Sequence, residues 1–154
     1  MILFAILVLS TMLYSEYLKQ LTTCPFCGTQ QSLSQHESAY LTFAYAPYHK
    51  HHLLVVPKRH TTSFFDMTRE ERAAAESLVE LGTSVLRKLG YENFTILVRE
   101  GSGPAKSIPH MHYHIIPDVV IGDLDHKGKE RTMMTDAEVV EVQQELASVI
   151  NSIV

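Results

Sequence analysis

The sequence predicts an α+β fold built on a mostly antiparallel sheet. Strand-like and helix-like runs fail to alternate strictly, and the two longest helical runs each open on a capping box. A third observation is the segment His110-Met111-His112-Tyr113-His114-Ile115-Ile116-Pro117, in which imidazoles occupy every second position. Successive side chains of a strand point to opposite faces, so this spacing predicts chemistry on one face and core residues Met111, Tyr113 and Ile115 on the other.

Taken in order, residues 1–13 are almost wholly apolar, yet too short a run to span a bilayer comfortably. They lack the basic start and small-residue cleavage site of a secretory signal. They are expected to be an apolar helix or a stretch ahead of a true start at Met12, with an uncleaved membrane tether the less favoured alternative. Residues 14–154 are then expected to form one domain.

Tyr14 to Leu21 has a short helical pattern that ends before Cys24-Pro25-Phe26-Cys27-Gly28. Ser38 to Tyr45 and Leu53 to Val56 are rich in aromatic, β-branched or apolar residues and read as strands. Thr68-Arg69-Glu70-Glu71 is a capping box, so a helix should run from Arg69 to Leu89 and stop at Gly90. Asn93 to Arg99 and His110 to Ile116 predict an antiparallel pair joined by a Gly/Pro-rich loop. Thr135-Asp136-Ala137-Glu138 repeats the capping box and opens a terminal helix with Val139, Val142, Leu146, Val149 and Ile150 at helical spacing.

With 154 residues and a formal charge of −4, the chain is long enough for a real core and poorly suited to binding nucleic-acid polymers. Its two cysteines, Cys24 and Cys27, lie too close for a disulfide framework and read as half a zinc site or a redox pair. The redox reading lacks the strand-then-helix setting it needs. Zinc requires two further ligands, and nine histidines leave several to spare.

Histidine has an unperturbed pKa near neutrality, so the row of three offers a nucleophile, a proton shuttle or a metal site. The preceding loop, Arg99-Glu100-Gly101-Ser102-Gly103-Pro104-Ala105-Lys106-Ser107, supplies small residues, a hydroxyl and cations. A second cluster, His49-Lys50-His51-His52 followed by Lys58-Arg59-His60, brackets another strand. Such a combination suits a phosphate ester.

From Cys24 to Pro117 these features resemble the histidine triad (HIT) family of nucleotide hydrolases and transferases. Its signature is His-x-His-x-His followed by two apolar residues, as at His110, His112 and His114. The resemblance implies a five-stranded, mostly antiparallel sheet with a long central helix and a C-terminal helix, and pairing of two copies through the long helix and a strand. It implies that His112 is the nucleophile toward an α-phosphorus, that His114 and His52 hold the phosphate oxygens, and that Ser107 serves the leaving group. Lys106, Arg99 and Gly103 of the loop are expected to meet the substrate. A subset with a Cys-x-x-Cys knuckle implies structural zinc on Cys24, Cys27, His60 and His110, with no organic cofactor.

The expected activity is hydrolysis of a nucleotide phosphoanhydride or phosphoramidate through a covalent nucleotidyl-histidine, in the cytoplasm. The rivals are a nucleotidyltransferase or phosphorylase, a non-catalytic nucleotide binder or sensor, and a protein whose three triad histidines hold a catalytic metal. Ala44 stands where the family commonly has a ribose-binding acid, and Arg99 and Lys106 replace an Asn and a Gln. Those departures, with Lys58 and Arg59, predict a preference for a longer phosphate chain or a sugar phosphate. His49 and His51 are expected in a solvated loop, His36 and His126 have no assigned role, and residues 121–129 with Asp118 are expected to form a loop over the site.

Overall fold

A computed structural model describes residues 11–28, 31–101, 103, 106–119 and 131–153. The apolar residues 1–10, His126 and the 121–129 segment lie outside the described residues. The elements are α1 (Tyr14–Gln20), β1 (Ser34–Gln35), β2 (Ala39–Phe43), β3 (Leu53–Pro57), a 3-10 turn (Phe64–Asp66), α2 (Arg69–Lys88), β4 (Phe94–Val98), β5 (Tyr113–Pro117) and α3 (Asp136–Ile153). The five strands form one sheet in the order β1-β2-β3-β5-β4, every neighbour antiparallel. This is the predicted α+β architecture with its long central and C-terminal helices.

Strand alternation divides the sheet into a core face and a working face. Leu41, Phe43, Leu53, Val55 and Ile115 pack with Ala75, Leu78, Leu86 of α2 and Val142, Leu146, Ile150 of α3. The opposite face carries Tyr40, Ala44, Leu54 and Val56 against Phe26. In register across it lie Thr42, Leu54, His114 and Leu97. Period-2 geometry therefore delivers His114 to the side of the sheet away from the long helix.

The capping box of α2 forms as predicted: Thr68 Oγ1 accepts from the Glu71 amide at 3.1 Å and Glu71 Oε2 accepts from the Thr68 amide at 2.8 Å. The helix ends at Lys88, and Gly90 takes the positive φ of 93° that closes it. Arg59, expected among the substrate cations, is instead committed to this cap. Its Nε and Nη2 donate to the Glu71 carboxylate at 2.7 and 2.8 Å.

Two expectations are corrected. The triad strand begins at Tyr113, not His110, because pairing with β3 starts at Val55 opposite Tyr113. Ahead of it the chain diverges, and the Met111 amide donates instead to the Thr61 carbonyl at 2.7 Å. His51 is buried rather than solvated, held between the Tyr91 hydroxyl (2.7 Å) and Glu145 Oε2 (2.9 Å).

Gly82 sits where α2 crosses the sheet, and a Cβ there would meet Ile115 Cδ1 at 2.6 Å and Leu41 Cδ1 at 3.4 Å. Gly82→Val is expected to cost about 1–3 kcal/mol by overpacking, despite valine's better helix propensity than glycine's. Denaturant unfolding checks this; a variant as stable as the parent would show that the helix has room to lift.

Candidate functional site

A cleft of about 320 Å³ opens on the working face. Its polar wall is His52, His112, His114, Ser107, Arg99 and Arg131; its apolar wall includes Phe26, Leu54 and the rings of Tyr14, Tyr17, Tyr40 and Tyr48. That size and mixture suit a small organic ligand with a few directed polar groups.

The three triad histidines do two different jobs. His110, fully buried, turns toward the cysteine knuckle, with Nδ1 3.3 Å from Cys24 Sγ and 3.7 Å from Cys27 Sγ. His112 and His114 face the cleft, their ring centroids 4.7 Å apart.

Hydrogen bonds fix the tautomer of each ring, because a carbonyl only accepts and a backbone amide only donates. His112 Nδ1–H donates to the His110 carbonyl at 2.7 Å, leaving the lone pair on Nε2. His52 Nδ1 accepts from the Tyr48 amide at 3.3 Å, so its Nε2–H donates to His114 Nδ1 at 2.9 Å. The proton of the neutral His114 ring is then on Nε2. The cluster presents one nucleophilic nitrogen and one N–H donor in fixed positions.

Burial is the main reason these rings stay neutral. It drives His112 down to about 4, against the partly opposing bond to the His110 carbonyl, and the Lys106 and Arg99 charges add to the fall. His52 is pushed down to about 3 by burial and then by the Arg131 charge. His114 falls well below the usual histidine range through burial, its two histidine neighbours and the two arginines.

Cys24, Cys27, His60 and His110 bring four ligand atoms within 4.8 Å of one another. A thiolate and an imidazole on one tetrahedral zinc lie roughly 3.5 Å apart, and the two sulfurs stand 3.3 and 3.2 Å from His110 and His60 Nδ1. His110 Nε2–H donates to the Pro57 carbonyl at 2.8 Å, which leaves its Nδ1 lone pair for a metal. The donor set fits zinc. Because His110 is turned away from His112 and His114, the described residues do not bring the three triad rings together as a catalytic metal site.

The remaining predicted residues separate. Ser107 lies in the cleft, its Oγ 2.7 Å from the Tyr14 hydroxyl. Arg99 lines the cleft. Lys106 points elsewhere, its Nζ donating to the Thr62 carbonyl and lying 3.9 Å from Met111 Sδ. Gly103, whose carbonyl accepts from the Lys106 amide at 3.0 Å, and Lys58 are outside the cleft wall.

Sequence reading missed Arg131, Tyr14, Tyr17 and Phe26. Tyr14 and Tyr17 fall on one face of α1, a signal available from their spacing. No local signal marks Arg131, which arrives from far along the chain. Phe26 stands between the two histidine jobs, its ring 5.0 Å from His112 and 6.0 Å from His110.

A profile described as the HIT domain matches residues 29–119, more than half of the chain. The chain belongs to the HIT family. An adenosine 5′-monophosphoramidase of Schizosaccharomyces pombe is 35% identical over 72 residues, which cover 47% of this chain and 52% of that one. The chain thus spans about half the length of the curated relatives it matches. Among solved structures, a hypothetical histidine triad nucleotide-binding protein from Sulfolobus tokodaii superposes with a TM-score of 0.70 at 20% identity, covering 84% of this chain and 93% of that one. A zinc-bound histidine triad protein from Mycobacterium smegmatis gives 0.66 at 21%, covering 85% and 95%. Both share the fold.

Two outcomes are expected. Protein grown with ample metal should carry about one zinc per chain and lose thermal stability on chelation, and Cys24→Ser should lower both zinc content and melting temperature. Metal-free protein that ignores chelator would refute the cluster's role. Because His52 and His114 are held neutral in the fold, their stabilisation is complete above the ordinary histidine value of 6.5 and is lost as pH falls toward their depressed values. Unfolding free energy should therefore drop by up to about 1.4 kcal/mol per pH unit for each ring between neutrality and about pH 5. A flat profile in denaturant titrations over that window would contradict the assignment.

Proposed function

We propose that the chain hydrolyses a nucleotide phosphoanhydride or phosphoramidate through a nucleotidyl group carried on His112 Nε2. The observation that carries this reading is the bond from His112 Nδ1–H to the His110 carbonyl, which leaves a neutral imidazole with its lone pair toward the cleft. A neutral histidine nucleophile needs no deprotonation before attack.

In the first step Nε2 bonds to the α-phosphorus and the bond from phosphorus to the leaving oxygen or nitrogen breaks. The His112 ring then carries a positive charge, which the His110 carbonyl oxygen stabilises through the same hydrogen bond. His114 Nε2–H, held by His52, donates to a phosphoryl oxygen as charge builds there. The Ser107 hydroxyl, accepting from Tyr14, donates a hydrogen bond to the leaving atom; a leaving phosphate oxygen departs as the anion, and a leaving nitrogen departs as the amine after taking a proton from solvent. In the second step water attacks phosphorus, the N–P bond breaks and returns the electron pair to Nε2, which restores the starting tautomer of His112, and the water's proton passes from the phosphoryl product to solvent. Zinc, when bound, supplies a crosslink that ties the knuckle and Phe26 against His112 and takes no part in these steps.

Two accompanying proposals concern setting. A thiolate pair used for metal rather than disulfide suits a reducing compartment such as the cytoplasm, and no helix among the described residues is long and apolar enough to cross a membrane. β4 lies at the sheet edge with Ile96 48% exposed. We assign that edge to a second copy of the chain, giving a homodimer.

His112→Ala should lower kcat by about 10³-fold or more with adenosine 5′-phosphoramidate as substrate, the scale of losing a covalent step rather than one hydrogen bond. His114→Ala and His52→Ala should cost less. Steady-state kinetics check this, and a His112→Ala protein retaining a tenth of parental kcat would overturn the reading.

A further inference from the structure

We propose that His51, gripped by Tyr91 and by Glu145 of α3, is a positioning residue that sets the tautomer of His52 and through it the N–H that His114 presents to the cleft. This deepens the hydrolase reading above and rests on it for the effect on rate.

The turn that leads into His52 closes on itself. Between β2 and β3 the His52 amide donates to the His49 carbonyl at 2.9 Å, the His51 amide donates to His49 Nδ1 at 3.1 Å, and the Tyr48 amide donates to His52 Nδ1 at 3.3 Å. The last of these bonds decides which nitrogen of His52 carries the proton. It is also longer than the bonds that follow it, 2.9 Å from His52 to His114 and 2.7 Å from His112 to the His110 carbonyl. An N–H bond beyond about 3.2 Å is near the end of its effective range, so a turn that opened by roughly a few tenths of an ångström would release it.

The restraint that keeps the turn shut comes from outside it. His51 is 6% exposed, its Nε2–H donates to the Glu145 carboxylate at 2.9 Å, and its Nδ1 lies 2.7 Å from the Tyr91 hydroxyl. A carboxylate only accepts, whereas a phenol donates or accepts, so the ring keeps both partners whether or not it is charged. Beside it Lys50 Nζ reaches Glu141 at 3.0 Å and Glu145 at 3.1 Å, so acids four residues apart on one face of α3 hold two successive residues of the turn. The two grips are unequal. The Lys50 pairs lie in water and contribute little, while a buried hydrogen bond to a charged group is costly to lose. His52 lines the cleft and the adjacent His51 meets Tyr91 and α3, so the link crosses from the helix layer to the cleft within one peptide unit.

Once the Tyr48 amide lets go, His52 Nδ1 is free to carry the proton and its Nε2 becomes an acceptor. His114 then donates from Nδ1, and its Nε2 changes from a donor into a bare lone pair facing the charge that builds on a phosphoryl oxygen. His112 is fixed separately by the His110 carbonyl and keeps its tautomer. Loosening His51 therefore removes an interaction made in the transition state, which lowers kcat and leaves KM nearly unchanged.

Nitrogen NMR on the histidine-labelled full chain at neutral pH, paired with steady-state kinetics on adenosine 5′-phosphoramidate, tests this. In His51→Ala the Nδ1–H form of His52 should become the major one, and kcat should fall by about tenfold or more with KM within about twofold. Should that variant not fold, the Glu145 pair decides. Glu145→Ala removes the acceptor and should shift the tautomer; Glu145→Gln keeps an acceptor oxygen and should retain it. Lys50→Ala should leave His52 as it is, and Val142→Ala, a core truncation in α3, should cost stability without moving the proton. The proposal fails if His52 stays protonated on Nε2 in folded His51→Ala or in Glu145→Ala, or if Glu145→Gln, Lys50→Ala or Val142→Ala shifts it as far. It fails too if the tautomer shifts while the kcat of an active parent holds. A parent inactive on nucleotide conjugates removes the hydrolase reading instead, and the tautomer of His52, read without substrate, still decides what His51 does.

Discussion

The structure depends on keeping buried imidazoles neutral with every ring nitrogen directed. An uncompensated charge in that setting costs far more than the hydrogen bonds return. The solution here is a set of one-way bonds: the Tyr48 amide to His52, His52 to His114, His112 to the His110 carbonyl, and His110 to the Pro57 carbonyl. Each leaves one defined nitrogen for function. His112 offers a lone pair and His114 a proton to the cleft, while His110 offers a lone pair to the cysteines. Among the described residues, no buried side-chain nitrogen or oxygen lacks a partner.

Two remote segments complete this arrangement. The cysteine knuckle brings Phe26 against both the metal-facing and the cleft-facing histidine, and Tyr40 Oη holds the Phe26 carbonyl at 2.8 Å. Helix α1 brings Tyr14, whose hydroxyl meets Ser107 while its ring supports Arg131. One phenol therefore links the residue proposed for the leaving group to a guanidinium of the cleft wall. The sheet supplies the rigid floor, and the chemistry is set by what these segments lay over it.

Much of this was legible because it is periodic or local. Alternation in the triad segment assigned its two faces, aromatic, β-branched and apolar runs marked β2 and β3 as strands, and the two Thr-x-x-Glu boxes placed the starts of α2 and α3. The parting of His110 from His112 and His114 is not visible in a regular His-x-His-x-His spacing. It follows from the end of pairing at Tyr113 and the pull of a knuckle more than eighty residues away. Cations were legible as charges but not as directions: Arg59 serves the α2 cap, Lys106 the Thr62 carbonyl, and only Arg99 of the expected group reaches the cleft. His51 looked solvated beside Lys50, yet Tyr91 and Glu145, both distant in sequence, draw it into the interior. Nothing around Arg131 announces its role, because its partners come from α1 and the turn after β2.

The central claim is that the fold sets the imidazole tautomers before any substrate arrives. Nitrogen NMR on histidine-labelled protein, with single-residue substitutions for assignment, reads this directly at neutral pH. The account requires His112 to carry its proton on Nδ1 with Nε2 bare, and His52 and His114 to carry theirs on Nε2. A His112 ring protonated on Nε2, or doubly protonated at neutral pH, would contradict it.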